Sequence, residues 1–229
     1  MGRLRRGTRA AALGTVLLLA GSVQAGDVKG SVRASDEGKQ KVVEAVRAPY
    51  WQEWNGFIDP KKLPFDYARE VSAVLIGPAA TRDATSVSLR DGTLLPSTIV
   101  AQHGLPLRIR NDDDFGHELY AEGLKGFDPV ETSPGTTRTV QLEQTGVFPL
   151  RDRLSPHVRG YLHVVAKLTQ VVHPSADGTF VFREVPPGKY TLKIYRGPSE
   201  VSQTELEVTS TRELSLDPMA LPESPKAGK

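Results

Sequence analysis

Few residues in this chain are equipped for chemistry. There are five histidines, His103, His117, His157, His163 and His173, and no cysteine, so thiolate nucleophiles and thiolate metal ligands are excluded. Serine chemistry finds no support either. No G-x-S-x-G turn occurs, the serines lie in turns beside proline or glycine, and Ser155 beside His157 has no orienting acid that the sequence can supply. Phosphate loops and dinucleotide fingerprints are missing. The run Asp112, Asp113, Asp114 invites a calcium reading, but calcium loops space their carboxylates at alternate positions and end on a bidentate acid, so a solvated turn is expected. His103 before Gly104, His163 inside "YLHVV" and His173 before Pro174 read as surface or strand-packing residues. An enzyme is therefore not expected. What remains to explain is His117, in "RNDDDFGHELY", and His157, in "SPHVRGY".

The elements that position them are short strands. From Glu70 onward, stretches such as "VSAVLIG", "TSVSLRDG", "LPLRIRNDDD", "GYLHVV" and "KYTLKIYRG" run four to eight residues, many alternating apolar with polar, between Gly, Pro, Asn and Asp. That spacing predicts an all-β sandwich architecture. Two packed β-sandwiches suit the length better than one, with boundaries near 71–166 and 167–217. The passage "YLHVVAKLTQVV" has no Gly or Pro break, so the modules are expected to pack as neighbours. "EGKQKVVEAV" suits a short helix, and residues 218–229, Pro-rich and polar, a disordered tail. Asp177-Gly178 and Pro186-Pro187-Gly188 bracket "TFVF" and "KYTLKIY" as a hairpin.

Residues 1–25 carry four arginines, the apolar run "AALGTVLLLA" and the small residues of "SVQA", the pattern of a cleaved secretory signal. Its apolar run is too short to span a bilayer, and no other stretch is apolar enough. A soluble periplasmic or secreted protein is expected. Loss of four of the 29 basic residues leaves a slight acidic excess against 27 acidic ones, so the precursor's positive charge implies no nucleic-acid partner. Without disulfides, packing alone must stabilise an exported fold.

The stretches "LLPSTIVAQHGLPLRIRNDDDFGHELY", "SPGTTRTVQLEQTGVFPLRD" and "SPHVRGYLHVV" resemble the cupredoxin (plastocyanin-like) order: an Asn six residues before a His, a Pro-Gly turn, a Gly-plus-aromatic strand, then a second His before a Gly-Tyr strand. "ADGTFVFREVPPGKYTLKIYRG" is similar to the carboxypeptidase regulatory-like (prealbumin-like) sandwich. In this order the two resemble plastocyanin-like exported proteins of the methylamine-utilisation type. The resemblance implies a cupredoxin-like Greek key followed by a second sandwich, and it places His117 and His157 on the two imidazole positions. Asp152 falls where the blue-copper thiolate belongs, and no methionine stands at the axial position, so no blue site is expected. Two readings stay open. His117, His157 and Asp152 form a two-histidine, one-carboxylate site for a copper or zinc ion, as in a metal carrier or redox partner. Alternatively the histidines only bond loop backbone, Asp152 pairs with Arg151 or Arg153, no cofactor is held, and the protein is a non-catalytic binding or scaffolding module.

Residues 26–70 lie outside both resemblances. Within them Tyr50, Trp51, Trp54 and Phe57 suit either a strap over a sheet edge or a contact surface for an envelope protein or glycan partner. In cupredoxins the imidazole end meets partners, which points to the loops around His117 and His157 as the rest of that surface.

Overall fold

The computed structural model describes residues 25–34 and 65–222, apart from 79, 82 and 210–212. The expected signal sequence, the "EGKQKVVEAV" helix, and Tyr50, Trp51, Trp54 and Phe57 lie outside the described residues.

In chain order the elements are β1 (Gly26–Ala34), α1 (Tyr67–Glu70), β2 (Val71–Ile76), β3 (Thr85–Arg90), β4 (Thr93–Leu95), β5 (Thr98–Gln102), β6 (Pro106–Asn111) and β7 (Leu119–Ala121). They continue as β8 (Thr137–Gln141), β9 (Gly146–Asp152), β10 (Arg159–Val165), β11 (Gln170–Val172), β12 (Thr179–Val185), β13 (Gly188–Arg196), β14 (Ser199–Val208), β15 (Leu214–Ser215) and β16 (Met219–Leu221). The single described helix is one turn, capped by the Asp66 carboxylate on the Ala68 amide at 2.9 Å.

The strands form four sheets. The order β4-β3-β6-β8 faces β5-β10-β9-β7 in the first sandwich; β12-β1-β15, with β16 also on β1, faces β11-β2-β13-β14 in the second. Strict alternation builds the first core: Leu107 and Ile109 of β6, Phe148 and Leu150 of β9, and Leu162 and Val164 of β10 point inward together. In the second, Phe180 and Phe182 of β12 meet Leu192 and Ile194 of β13.

The two sandwiches also pack against each other, which makes four layers. On β2, Val71, Ala73 and Leu75 enter the second core, while Val74 turns the other way to meet Val100, Leu168 and Tyr195. On β5, Ile99 and Ala101 enter the first core and Val100 joins that middle layer. Burial on both faces explains why "VSAVLI" and "TIVAQ" are nearly continuous apolar runs. Polar bonds sew the middle layer: Ser72 Oγ donates to Thr98 O at 2.6 Å, Thr98 Oγ1 to Glu70 O at 2.7 Å, and the Gly197 amide to Thr98 Oγ1 at 2.9 Å.

Three expectations are corrected. The boundary at Val71 does not separate the modules, because β2 pairs antiparallel with β11 and β13, and β1 pairs with β12, β15 and β16. The first sandwich is thus inserted into the second, between β2 and β11. The segment after Asp217 is not wholly tail, since β16 runs parallel to β1; residues 223–229 lie outside the described residues. Finally, β12 and β13 are not a hairpin. Pro186-Pro187-Gly188 carries the chain from one sheet of the second sandwich to the other, because both strands have apolar inner faces that must meet across a core and not side by side. The hairpin is β13 with β14.

Candidate functional site

The inward face of β6 ends on Asn111, fully buried. Its carboxamide shapes the loop that follows: Oδ1 accepts the Asp113 amide at 2.9 Å, and Nδ2 donates to the carbonyls of Phe115 and Thr132, each at 2.8 Å. This Asx-type turn aims Asp113 into the sandwich and leaves Asp112 outside. His117 then pairs with Thr132 through an isolated antiparallel bridge, which fixes its backbone as a strand would. From the other side, period-two alternation on β9 carries the inward face through Phe148 and Leu150 to Asp152.

These elements bring His117 between two carboxylates. Nδ1 lies 3.0 Å from Asp152 Oδ2 and Nε2 lies 2.9 Å from Asp113 Oδ2, with the His117 side chain at zero exposure. The outer oxygen of Asp152 accepts the amides of Leu154 at 2.9 Å and Ser155 at 2.7 Å. Asp113 Oδ2 also accepts the Gly92 amide at 3.1 Å, tying in the β3–β4 turn. Each ring nitrogen thus faces a carboxylate oxygen at hydrogen-bonding distance, so both are engaged within the protein.

His157 reaches the same end but not the same cluster. It is exposed, and its Nε2 lies 2.8 Å from where a β-carbon on Gly92 would stand, so the ring rests on the Asp91-Gly92 turn. Gly92, at φ +63°, is the residue that leaves room for it. Among the described residues no group of three or more histidine or acid side chains is disposed to hold a metal. The donors implied by the resemblance do not fit copper as they stand: the thiolate position holds a carboxylate, His117 has spent both nitrogens on carboxylates, and the second imidazole is turned to a surface loop.

The expected pairing of Asp152 with an arginine is corrected as well. Arg151 and Arg153 sit on either side of the inward position and point outward, Arg153 pairing with Glu118 and Arg151 with Glu122 at 3.6 Å. Asp113, read from the sequence as solvated, is buried; only its neighbours behave as a turn. Asp112 is clasped by Arg110 at 2.5 Å and Arg90 at 3.1 Å, and the Arg110 bond, helped by Arg90, holds its carboxyl below the usual range. The signal that could have found Asp113 is its spacing, two residues beyond inward-facing Asn111 and four before His117.

The remaining histidines serve elsewhere. His103 Nε2 meets Glu143 O at 3.1 Å on the surface. His163 is buried in the middle layer with Nε2 2.7 Å from Gly197 O, and burial pushes its pKa down. His173 Nδ1 donates to Val71 O at 3.1 Å.

Two exposed apolar side chains stand in the loops that carry the cluster. Phe115, 47% exposed, lies with its ring 4.8 Å from that of His117, and Leu154, 53% exposed, hangs from the amide bonded to Asp152.

No family model matches the chain, and no curated protein matches it. Among solved structures it is similar to a purple cupredoxin from Nitrosopumilus maritimus, 17% identical over 35% of this chain and 99% of that one, with a TM-score of 0.32. Amicyanin from Paracoccus versutus is similar at 14% identity over 40% of this chain and 97% of its own, TM-score 0.33. The copper-containing nitrite reductase from Thermus scotoductus is similar at 16% identity over 38% of this chain and 25% of its own, TM-score 0.32.

Proposed function

We propose that the chain is an exported, non-catalytic binding or scaffolding protein, in which a cupredoxin-like sandwich has its ligand-holding end closed by hydrogen bonds and is carried by a second sandwich of the carboxypeptidase regulatory-like kind. The observation that supports it is the double engagement of His117 by Asp113 and Asp152. A buried ring with both nitrogens committed offers no lone pair to a metal and no base to a substrate. What it offers is rigidity. It ties the 111–117 loop, the end of β9 and the β3–β4 turn into one block beneath the apolar rim of Phe115 and Leu154, the surface on which an envelope protein or glycan would dock.

Titration of the purified mature protein with Cu(II) and with Zn(II), followed by calorimetry and by metal analysis after desalting, tests the reading. No stoichiometric uptake is expected, and Phe115→Ser should leave folding intact while weakening partner capture. One tightly held equivalent of metal that disappears in His117→Ala would overturn it in favour of a metal carrier.

A further inference from the structure

A second feature lies away from the His117 cluster: a cleft of about 370 Å³ beside the junction of the two sandwiches, within the roughly 300–1,000 Å³ range of ligand sites. One wall is β3 at Thr85, Ser86 and Val87, a second is Pro96 with Ile99 and Val100, and a third is Leu168 through Val171. What sets it apart is the unused strand edge that opens into it.

The direction of each backbone group on β3 follows from its pairing. Asp91 and Gly92, at φ 53° and 63°, form the two-residue turn of a type I′ hairpin. In such a hairpin the closing residues, here Arg90 and Thr93, bond each other, so Arg90 turns its N–H and C=O toward β4, and so does Ser88, opposite Leu95. The odd-numbered residues face the other neighbour, β6, as the bond from the Asp112 amide to Leu89 O at 2.8 Å confirms. By the same alternation Ser86 turns its N–H and C=O toward the β4 side. There β4 has ended: its pairing with β3 stops at Ser88 and Leu95, and the chain leaves at Pro96 into β5. Ser86 is exposed, and among the described residues no strand pairs with it on that side.

A lane of strand width, lined by Ile99, Val100, Leu168 and Val171 and edged by backbone that no described strand pairs, fits another extended backbone. We propose that this cleft binds an extended peptide segment, which continues the lane of β4 along Thr85–Val87 by β-augmentation, sets an apolar side chain on the Ile99–Leu168 floor and places a basic residue beside Asp83. Asp83 is exposed at the mouth and is the one carboxylate among the described lining residues. The main chain supplies affinity through Ser86, and the floor and Asp83 supply selectivity for apolar-basic sequences over acidic ones. The site is separate from the His117 end, so it stands or falls independently of whether that end takes a metal.

The probe is a fluorescein-labelled eight-residue peptide of alternating valine and threonine with a lysine at each end, titrated against the full mature chain by fluorescence anisotropy. Saturable binding is expected, with the Ser86 amide gaining protection from hydrogen exchange. Ser86→Pro removes the N–H that faces the lane but not a bond to β6, so it should keep the fold and weaken binding about tenfold or more, whereas Ser86→Ala should bind as the parent does. Asp83→Lys should weaken binding in low salt and lose most of its effect in high salt. Should Ser86→Pro fail to fold by circular dichroism, the same peptide with alternate N-methylated amides takes its place and should not bind. The proposal is overturned if the methylated peptide or the Ser86→Pro variant binds as tightly as the parent pair, if Ser86 gains no protection, or if no binding is seen up to about 1 mM peptide, the weak limit for a specific site.

Discussion

Replacing Asp152 by asparagine and by alanine separates the hydrogen-bond lock from mere burial. Asp152 has no side-chain exposure and makes three bonds, to the amides of Leu154 and Ser155 and to His117 Nδ1. Asp152→Ala removes all of them. It leaves the Ser155 amide and one ring nitrogen without partners inside the protein, at about 1–3 kcal/mol each, within the about 3–5 kcal/mol expected when one member of a buried polar pair is deleted. A destabilisation of about 4 kcal/mol is expected. Asp152→Asn keeps an oxygen for the two amides and offers its NH₂ to His117. A ring that accepts at Nδ1 and donates from Nε2 to Asp113 keeps both contacts. A bond to a carboxylate becomes a bond to a carboxamide, which costs about 1–2 kcal/mol. Urea unfolding of the mature chain, followed by far-ultraviolet circular dichroism, reads both variants against the parent, with unchanged slopes as the check that the unfolded states are comparable. Equal losses in the two variants, or less than about 1 kcal/mol for alanine, would refute the hydrogen-bond lock.

Three further outcomes follow from the middle layer and its surroundings. His163 is held neutral in the fold, its pKa pushed below the ordinary 6.5 chiefly by burial; the unfolded chain therefore binds more protons as pH falls through 6.5, so stability present above that value declines below it until the folded value is reached, and His163→Gln should flatten this part of a pH series of urea midpoints. Gly160→Ala would place its β-carbon 2.6 Å from Ser97 O and 2.7 Å from Leu94 Cδ2, and because the first is backbone that cannot swing away, a loss of about 1–3 kcal/mol in the same unfolding assay is expected. Cleavage at Lys167 should not release two stable halves, since residues 168–229 lack β1 and β2, the neighbours of β12 and β13; a folded, separable C-terminal fragment on gel filtration would contradict the inserted topology.

Much of the strand content was legible because period-two alternation is local. "PLRIRN" and "VFPLRD" announce their inner faces, and the parity running from Phe148 through Leu150 already turns Asp152 inward. What alternation cannot carry is which strand pairs with which. β2 reads as the first strand of the following sandwich because it precedes it in sequence, yet its hydrogen bonds go to β13, more than a hundred residues on. β1 was missed for a different reason: "GDVKGSVRA" contributes only Val28 and Val32 to the core, too few to mark a strand, and its identity depends on β12, β15 and β16. The hairpin assigned around Pro186-Pro187-Gly188 failed because turn chemistry says that the chain bends, not whether the next strand joins the same sheet. Asp113 was hidden in an acidic run in which one member is buried and its two neighbours are not. Burial of a single carboxylate among three depends on the Asn111 carboxamide that turns the loop, a side-chain bond that composition does not reveal.

One histidine ties this end of the sandwich together. From His117 the bonds run through Asp152 to the Leu154 and Ser155 amides, through Asp113 to the Gly92 amide, and through the Thr132 bridge to the carbonyl that Asn111 also holds. Every segment at this end is reached within two bonds of one imidazole. Under the proposed function this cross-link keeps the loops that carry Phe115 and Leu154 in one shape. The peptide lane proposed at Ser86 lies on β3, the strand whose turn to β4 is bonded to the cluster through the Gly92 amide, and a bonded turn fixes the register of β3 with β4, whose end opens that lane.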